Sequence, residues 1–380
     1  MRIVLFGPVY PFRGGVPHFT AALTRALRDA GHEVKLVNFE TLFPKLFFPG
    51  KSQTDDSPHA VPLESERVFV AWKPKTWKAT ARIIEAFRPD LIAAMWWMPP
   101  FGPGYRGVAR ALSAEYRRRL VYVIHDVVSH ERRPGDVYLA KMALRTASKF
   151  LVLSRAEERR LKQLLPDVAE ERIYFAPHPP FDRYRVFSGT VQDARRQLGV
   201  EAERVLLFFG FVRHYKGLDL LLRAMPQIVR ENGDVKLAVC GPIHERRARY
   251  EKLLDETGMR ERVVLHDHYF SGEEVSMCFA AADAVVLPYR SATQSGVIPT
   301  ALALETPVIS TRAGGLDEAM RDGQMGVVIE QAESAAIAAA VKRFYDAGGR
   351  AAFESGVREA AKRQSWQEFA GVLERLKAEI

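Results

Sequence analysis

Short apolar runs and helix-spaced apolar positions take turns along nearly the whole chain. Arg2–Phe6 is a continuous apolar run closed by Gly7-Pro8, the form of a parallel strand buried on both faces. Beyond the loop PVYPFRGG, Val16, Phe19, Leu23, Ala26, Leu27 and Ala30 recur at helical spacing, and Gly31 supplies the stop. Further strands are predicted at Glu33–Asn38, Leu91–Met95, Leu120–Ile124 and Phe150–Leu153, with helical stretches such as Thr80–Phe87 between them. Near residue 177 the pattern lapses into APHPPFDRYRVFSGT, proline-rich and aperiodic, which reads as a linker over 177–188. The alternation restarts with strands at Arg204–Phe209, Lys236–Cys240, Val263–His266, Ala284–Pro288 and Pro307–Thr311. Strand, helix, strand in this order predicts an α/β chain of two doubly wound, Rossmann-like domains, residues 1–176 and 189–364. Facing each other, two such sheets would direct their carboxyl ends to one central cleft, where ligands of open α/β sheets bind.

Composition narrows the class more than the function. A length of 380 residues is about twice a usual domain and suits two cores. Against 46 Asp+Glu stand 55 Lys+Arg, and this net +9 favours anionic partners: nucleotide diphosphates, nucleic acid or an anionic membrane surface. The excess is scattered along the sequence, and no nucleic-acid recognition motif accompanies it. The two cysteines, Cys240 and Cys278, lie inside apolar runs; they form neither a disulfide framework nor a metal-ligand set, and a reducing cytoplasm fits them. No stretch approaches the ~18 apolar residues of a membrane span. The opening run, MRIVLFGPVYP, is too short for a signal sequence and reads as a first strand.

Three loops carry candidate chemistry. In FGPVYPFRGGVPHF, Gly14-Gly15 at the head of a helix is either an anion site made of free backbone N–H groups or a plain tight turn. In FFGFVRHYKGLDLLLRAM, Arg213 and Lys216-Gly217 lie between a buried strand and a helix. Two cations at the top of a parallel sheet suit a diphosphate, Arg gripping two oxygens and Lys acting as a point charge. The alternative is a solvated basic loop. In AVVLPYRSATQSGVIPTALALETPVIST, a polar loop ends in Gln294, Ser295 and Gly296 at a helix start, with Pro299 in the first turn. His125, in YVIHDVV, stands at a strand's carboxyl end, where a site histidine and a structural histidine are both reasonable.

Taken together, the G-x5-KG spacing, the segment PYRSATQSGVIPTALALETPVIST and the closing AGGLDE resemble glycosyltransferase family 4, retaining enzymes of the GT-B fold. The N-terminal PxxGGxxxH with GHEV agrees, as does RQSWQEFAGVLERL, where the family often has a Trp-containing segment leading into a helix that crosses back to the first domain, here 365–380. This resemblance implies a transferase moving a hexose-type sugar from a UDP or GDP sugar to a glycan or lipid-linked acceptor, in cell-surface glycan or glycolipid biosynthesis. It implies that Lys216 and Arg213 neutralise the donor diphosphate with the backbone of Ser295 and Gly296, that Gly14 and Gly15 lie against donor phosphate or sugar, and that His125 contacts the transferred sugar. No Asp/Glu nucleophile is evident, so retention would proceed by front-face attack, with the protein positioning the substrates and stabilising charge. No metal or other cofactor is expected, because the cations and helix N-termini do that work. Asp267-His268-Tyr269 is not a DxD metal motif, and its place after a strand suits recognition of the base around His268, Tyr269 and Phe270.

Two departures stand out. Phe211 occupies the place where the family commonly has Arg after the loop glycine. Ala292 and Thr300 stand where its two glutamates, eight residues apart, usually do. Thr300 can offer the ribose only one weaker hydrogen bond, and the QSG form resembles a branch without the glutamate pair.

On the acceptor side, ETLFPKLFFPGKSQ, AWKPKTWKATARI and MWWMPPFGPGYRG interleave aromatics and cations. They suit a lipid-linked acceptor at an anionic membrane, the inner face of the cell membrane being the expected place, or sugar stacking on Trp96 or Trp97, or simple packing of loops onto the core. Three competitors remain: a sugar-nucleotide epimerase, which lacks its acidic residues; a nucleic-acid glucosyltransferase or binding protein; and a non-catalytic sugar-nucleotide-binding subunit, favoured by Ala292 and Thr300.

Overall fold

The structure is a computed structural model, and it describes residues 1–380 apart from 45–52, 55–61, 129–132, 182–183, 293–294, 317–319, 321–323 and 380. The chain divides into two compact units, one of Met1–His178 with Gln364–Ile380 and one of Pro179–Arg363.

The amino-terminal unit runs β1 (Arg2–Phe6), α1 (Gly15–Asp29), β2 (Glu33–Phe39), β3 (Glu66–Phe69), α2 (Pro74–Ala86), β4 (Leu91–Trp96), α3 (Gly102–Ala111), α4 (Ala114–Arg118), β5 (Leu120–Ile124), α5 (Asp136–Leu144), β6 (Lys149–Val152), α6 (Arg155–Leu164) and β7 (Ile173–Phe175). Its seven strands form a parallel sheet in the order β3-β2-β1-β4-β5-β6-β7. Successive side chains point to opposite faces, so each strand feeds two cores. Val4, Phe6, Ile92, Ala94 and Tyr122 pack under α2, α3 and α5. Ile3, Leu5, Leu91, Ala93 and Val121 pack under α1 and the last helix of the chain (Trp366–Ala378, α14 below), through Phe19, Leu23, Trp366 and Phe369. Burial of both faces explains why these strands read as unbroken apolar runs.

The carboxy-terminal unit runs α7 (Val191–Gln197), β8 (Arg204–Phe209), α8 (Leu218–Asn232), β9 (Val235–Cys240), α9 (Arg247–Thr257), β10 (Val263–His266), α10 (Gly272–Ala281), β11 (Ala284–Leu287), α11 (Val297–Ala303), β12 (Val308–Thr311), β13 (Gly326–Ile329), α12 (Ser334–Asp346) and α13 (Arg350–Arg363), after which α14 returns to the first unit. Its parallel sheet has the order β10-β9-β8-β11-β12-β13. Along β8, Val205 and Leu207 enter one core, while Leu206 and Phe208 enter the other with Leu221, Met225 and Phe344. Both sheets are thus doubly wound, as the alternation predicted. β3, β7 and β13 are additions to the predicted strands. No helix among the described residues is long and apolar enough to cross a membrane.

Candidate functional site

In the carboxy-terminal unit, glycines draw three strand ends together. Gly217 has φ +69°, and a Cβ there would lie 2.0 Å from the carbonyl oxygen of Pro288, just past β11. Gly241, past β9, has φ +145°, and its Cβ would lie 2.4 Å from the carbonyl oxygen of Gly210, past β8. Only glycine permits both backbones. The turn His214–Lys216 folds back so that Lys216 Nζ would sit 3.0 Å from a Cβ on Gly210.

Lys216 is therefore not part of a solvated loop. It is 8% exposed, and its Nζ lies 5.5 Å from the centroid of the Tyr289 ring. Among the described residues no carboxylate pairs with it. Burial pulls its pKa below the ordinary lysine value and the charge of Arg213 pushes the same way, with Tyr215 opposing. A buried ammonium without a counter-charge is costly, and an anion is the species that relieves it. Arg213 is half-buried, its carbonyl accepting the Lys216 amide at 2.9 Å.

Beside this lysine, the loop after β11 is clamped to the same turn. Arg290 donates two hydrogen bonds of 2.8 Å to the Asp219 carboxylate, a third of 2.8 Å to the His214 carbonyl, and its amide bonds the Tyr215 carbonyl at 2.7 Å. Burial raises the Asp219 pKa, but the Arg290 hydrogen bonds outweigh it and hold the carboxyl below its ordinary range. Ser295 Oγ accepts the Val297 amide at 3.2 Å at the head of α11 and lies 3.4 Å from the Tyr289 hydroxyl. Gly296 differs from the clamping glycines: its φ is −63°, and a Cβ on it would meet nothing within 4 Å. Neither its backbone nor any described neighbour requires glycine. Gln294 lies outside the described residues. Thr300 is buried, and its hydroxyl donates to the Gly296 carbonyl at 2.8 Å, so it has only acceptor capacity left. Ala292 is packed in the core with Tyr289 and Val297, leaving no acid at either glutamate position.

At the ends of β8, β9 and β10, which are neighbours in the sheet, three rings meet that the linear sequence does not connect. Phe211 lies 4.9 Å from His244 and 6.5 Å from Tyr269, with Phe211 and Tyr269 about half exposed. His268 stacks on Phe270 at 4.2 Å and has Glu274 at 3.3 Å. Asp267 accepts the Ile243 amide at 2.7 Å and faces Arg247 at 3.6 Å, so its carboxylate ties two loops together.

In the amino-terminal unit, Asn38 holds the loop after β1, accepting the Val9 amide at 3.2 Å and donating to the Tyr10 carbonyl at 2.9 Å. Gly14 then takes φ +126°, a conformation for glycine, and begins α1, whose first turn has no acidic residue and no side-chain cap. Gly15, like Gly296, has open space where its Cβ would be. Past β5, the His125 amide bonds the Trp96 carbonyl at 2.8 Å, and its ring stands edge-on to Phe19 at 4.7 Å. His125 is 8% exposed, and its Nε2 has no hydrogen-bond partner among the described residues. Burial, with a contribution from His178, lowers its pKa to about 3, so the ring is neutral. A buried ring nitrogen left unpaired costs about 1–3 kcal/mol, the signature of a site completed by something else. Glu157, which the sequence reading missed, is fully buried and accepts the Val127 amide, fixing the loop that carries His125. Its signal was the spacing Ser154-x-x-Glu157 at the start of α6, where Ser154 caps the Glu157 amide at 3.1 Å.

Among the described residues, the aromatics assigned to an acceptor lie in the core or pack against it, except Trp72, which is exposed. Trp96 is fully buried, its indole N–H bonded to the Val127 carbonyl at 3.2 Å, and sugar stacking on it is ruled out by that burial. Trp97, partly buried, packs against Phe39 and Phe101. Residues 45–52 of the first aromatic loop lie outside the described residues.

The chain is similar to known proteins along most of its length. Residues 13–179 match the family model described as Glycosyltransferase Family 4, and residues 203–347 match that described as Glycosyl transferases group 1. A D-inositol 3-phosphate glycosyltransferase of Catenulispora acidiphila is 32% identical over 62% of this chain and 58% of its own length. The corresponding protein of Xylanimonas cellulosilytica is 28% identical over 75% of this chain and 70% of its own. The first match thus spans little more than half of the relative. Among solved structures, Anabaena HepE with UDP-glucose superposes with a TM-score of 0.73 at 19% identity, covering 100% of both chains. Sucrose-phosphate synthase of Thermosynechococcus elongatus gives 0.72 at 19% identity, over 100% of this chain and 99% of that one. At such identities the structures speak for the fold, which is GT-B. With both halves matched by family models and the glycine-framed Lys216 turn in place, the chain belongs to glycosyltransferase family 4.

Proposed function

We propose that the chain is a glycosyltransferase that binds a nucleoside diphosphate sugar through Lys216 and the loop ending at Gly296. The observation that carries this reading is the buried ammonium of Lys216, which no carboxylate among the described residues compensates, set beside a helix start whose glycine no described residue requires. A diphosphate supplies the missing negative charge, and the absent methyl group at Gly296 lets its oxygens approach the backbone. HepE was solved with UDP and with UDP-glucose, which favours UDP for the nucleotide and a hexose for the sugar. Relatives named for D-inositol 3-phosphate, and an alpha-D-kanosaminyltransferase of Streptomyces kanamyceticus, support a hydroxyl acceptor. A glycan or lipid-linked acceptor at an anionic membrane is the form we assign here, in cell-surface glycan or glycolipid synthesis.

On this reading transfer retains configuration and uses no metal. The acceptor oxygen forms a bond to the anomeric carbon on the face from which the diphosphate departs. The carbon–oxygen bond to phosphate breaks, and the acceptor proton passes to the departing phosphate oxygen. Lys216 and Arg213 stabilise the charge that develops there. His125, neutral, offers Nε2 to a hydroxyl of the transferred sugar. His268, Tyr269 and Phe270 receive the base. A second reading, a sugar-nucleotide-binding subunit without turnover, is favoured by the absence of acids at Ala292 and Thr300.

Thermal shift with UDP, GDP and ADP tests the proposal, since a ligand of the native state raises the melting temperature by mass action. One diphosphate is expected to raise it; a flat response to all three refutes the donor site. Release of UDP from UDP-sugars then separates enzyme from binding subunit.

A further inference from the structure

The cations that look scattered in sequence are gathered in space. Helices α2, α3 and α5 pack side by side over one face of the amino-terminal sheet. Their outer surface carries Lys75, Lys78, Arg82, Arg106, Arg110 and Lys141. Against these six stand only two acids, Glu85 and Asp136, so the three helices hold a net +4 of the chain's +9. Both acids are occupied locally, Glu85 by the Ser113 amide at 2.7 Å and buried Asp136 by the Arg133 amide at 2.9 Å. None of the six cations forms an ion pair among the described residues. Between α3 and α5 lies a groove of about 370 Å³ lined by Arg106, Arg110, Tyr138, Lys141 and Arg145, the last 3.6 Å from Asp167.

The same layer also shows apolar surface. Val137 and Tyr138, at the start of α5, are 49% and 69% exposed, and Trp72, just before α2, is 41% exposed. Both helices start at the carboxyl edge of the parallel sheet, so these side chains fringe one edge of the cationic face. Unpaired cations beside exposed Trp, Tyr and Val match the two parts of an anionic bilayer: headgroup phosphates, and the interfacial zone where amphipathic rings settle.

We propose that the α2–α3–α5 face docks on an anionic lipid surface, with the α3–α5 groove seating a headgroup phosphate. This rests on the membrane-side acceptor assigned above, but it is measured separately from donor binding. In co-sedimentation without nucleotide, the protein should bind vesicles of phosphatidylglycerol and phosphatidylcholine and not vesicles of phosphatidylcholine alone. Each cation contributes about fivefold to such partitioning, so Arg106→Gln with Lys141→Gln should weaken it about 25-fold, and added salt should do the same. Because neither side chain is ion-paired, the melting temperature and the UDP response should be unchanged. Tyr138→Ser should weaken binding without changing its salt dependence. Equal binding to neutral vesicles, or a double variant that binds as the wild type does, overturns the proposal. So does a groove that takes inorganic pyrophosphate while the protein ignores vesicles, which would assign it to a soluble phosphate. Loss of the UDP response in Lys216→Ala with vesicle binding intact separates the two sites.

Discussion

Alanine at Gly217 and alanine at Gly296 are the same chemical change with opposite expected consequences. At Gly217, φ +69° places an L-residue in the left-handed region, costing about 1–2 kcal/mol. Its methyl group would also lie 2.0 Å from the Pro288 carbonyl oxygen, so the loop after β11 must move, adding about 1–3 kcal/mol. The sum, about 2–5 kcal/mol, is a large part of an ordinary stability of ~5–15 kcal/mol. At Gly296 the backbone is already helical and no atom of the described residues lies within 4 Å, so alanine should be neutral or stabilise by up to about 1 kcal/mol. If a diphosphate oxygen approaches that backbone, the methyl group occupies its place, and UDP affinity should fall at least about tenfold, ~1.4 kcal/mol. Urea unfolding at constant slope measures the first effect and titration calorimetry the second. A Gly217→Ala protein as stable as the wild type would refute the account of the KG turn. A Gly296→Ala protein that binds UDP unchanged would refute the close approach.

Other expectations follow from particular contacts. Arg290→Ala leaves the Asp219 carboxylate, mostly buried, without its bidentate partner, and should cost about 2 kcal/mol in urea unfolding at pH 7; Arg290→Lys should recover only part of it, since a point charge does not replace a planar fork. His125 titrates near 3 in the native state and near 6.5 when unfolded, so the unfolded chain binds the extra proton between those values. Its contribution to stability is complete above pH 6.5 and declines as pH falls toward 3, by about 1.4 kcal/mol per unit. In His125→Gln that component of the acid loss should vanish; an unchanged pH profile would mean the ring is not held neutral by burial.

Much of the fold was legible because burial on both faces writes each strand as an apolar run, as in Arg2–Phe6, Leu120–Ile124 and Arg204–Phe209. Two of the missed strands lack that mark: β3 is ERVF, edge-placed and half polar, and β7 is a half-buried edge strand of three residues, whereas β13, GVVI, is a buried apolar run that the sequence reading passed over. Within the site, the KG spacing was visible, but the burial of Lys216 was not, because it depends on a fold-back against Gly210 and Tyr289. The sequence likewise cannot separate glycines that the chain needs, such as 217 and 241, from those open to a ligand, such as 15 and 296. Trp96 looked like a loop aromatic because it ends a strand, yet its indole points into the core. Phe211, His244 and Tyr269, and the cations of α2, α3 and α5, became neighbours only through parallel crossovers that join distant segments.

On the proposed function, the buried charge of Lys216, which no carboxylate among the described residues pairs, is held for a diphosphate. Titration of UDP into wild type and Lys216→Met tests it most directly, methionine keeping the length of the side chain and removing the charge. The variant should be at least as stable as the wild type, relieved of a buried ammonium, and its affinity for UDP should be lower by about 100-fold or more, on the order of 3 kcal/mol for a charge-assisted contact. A Lys216→Met protein that binds UDP with wild-type affinity would contradict it.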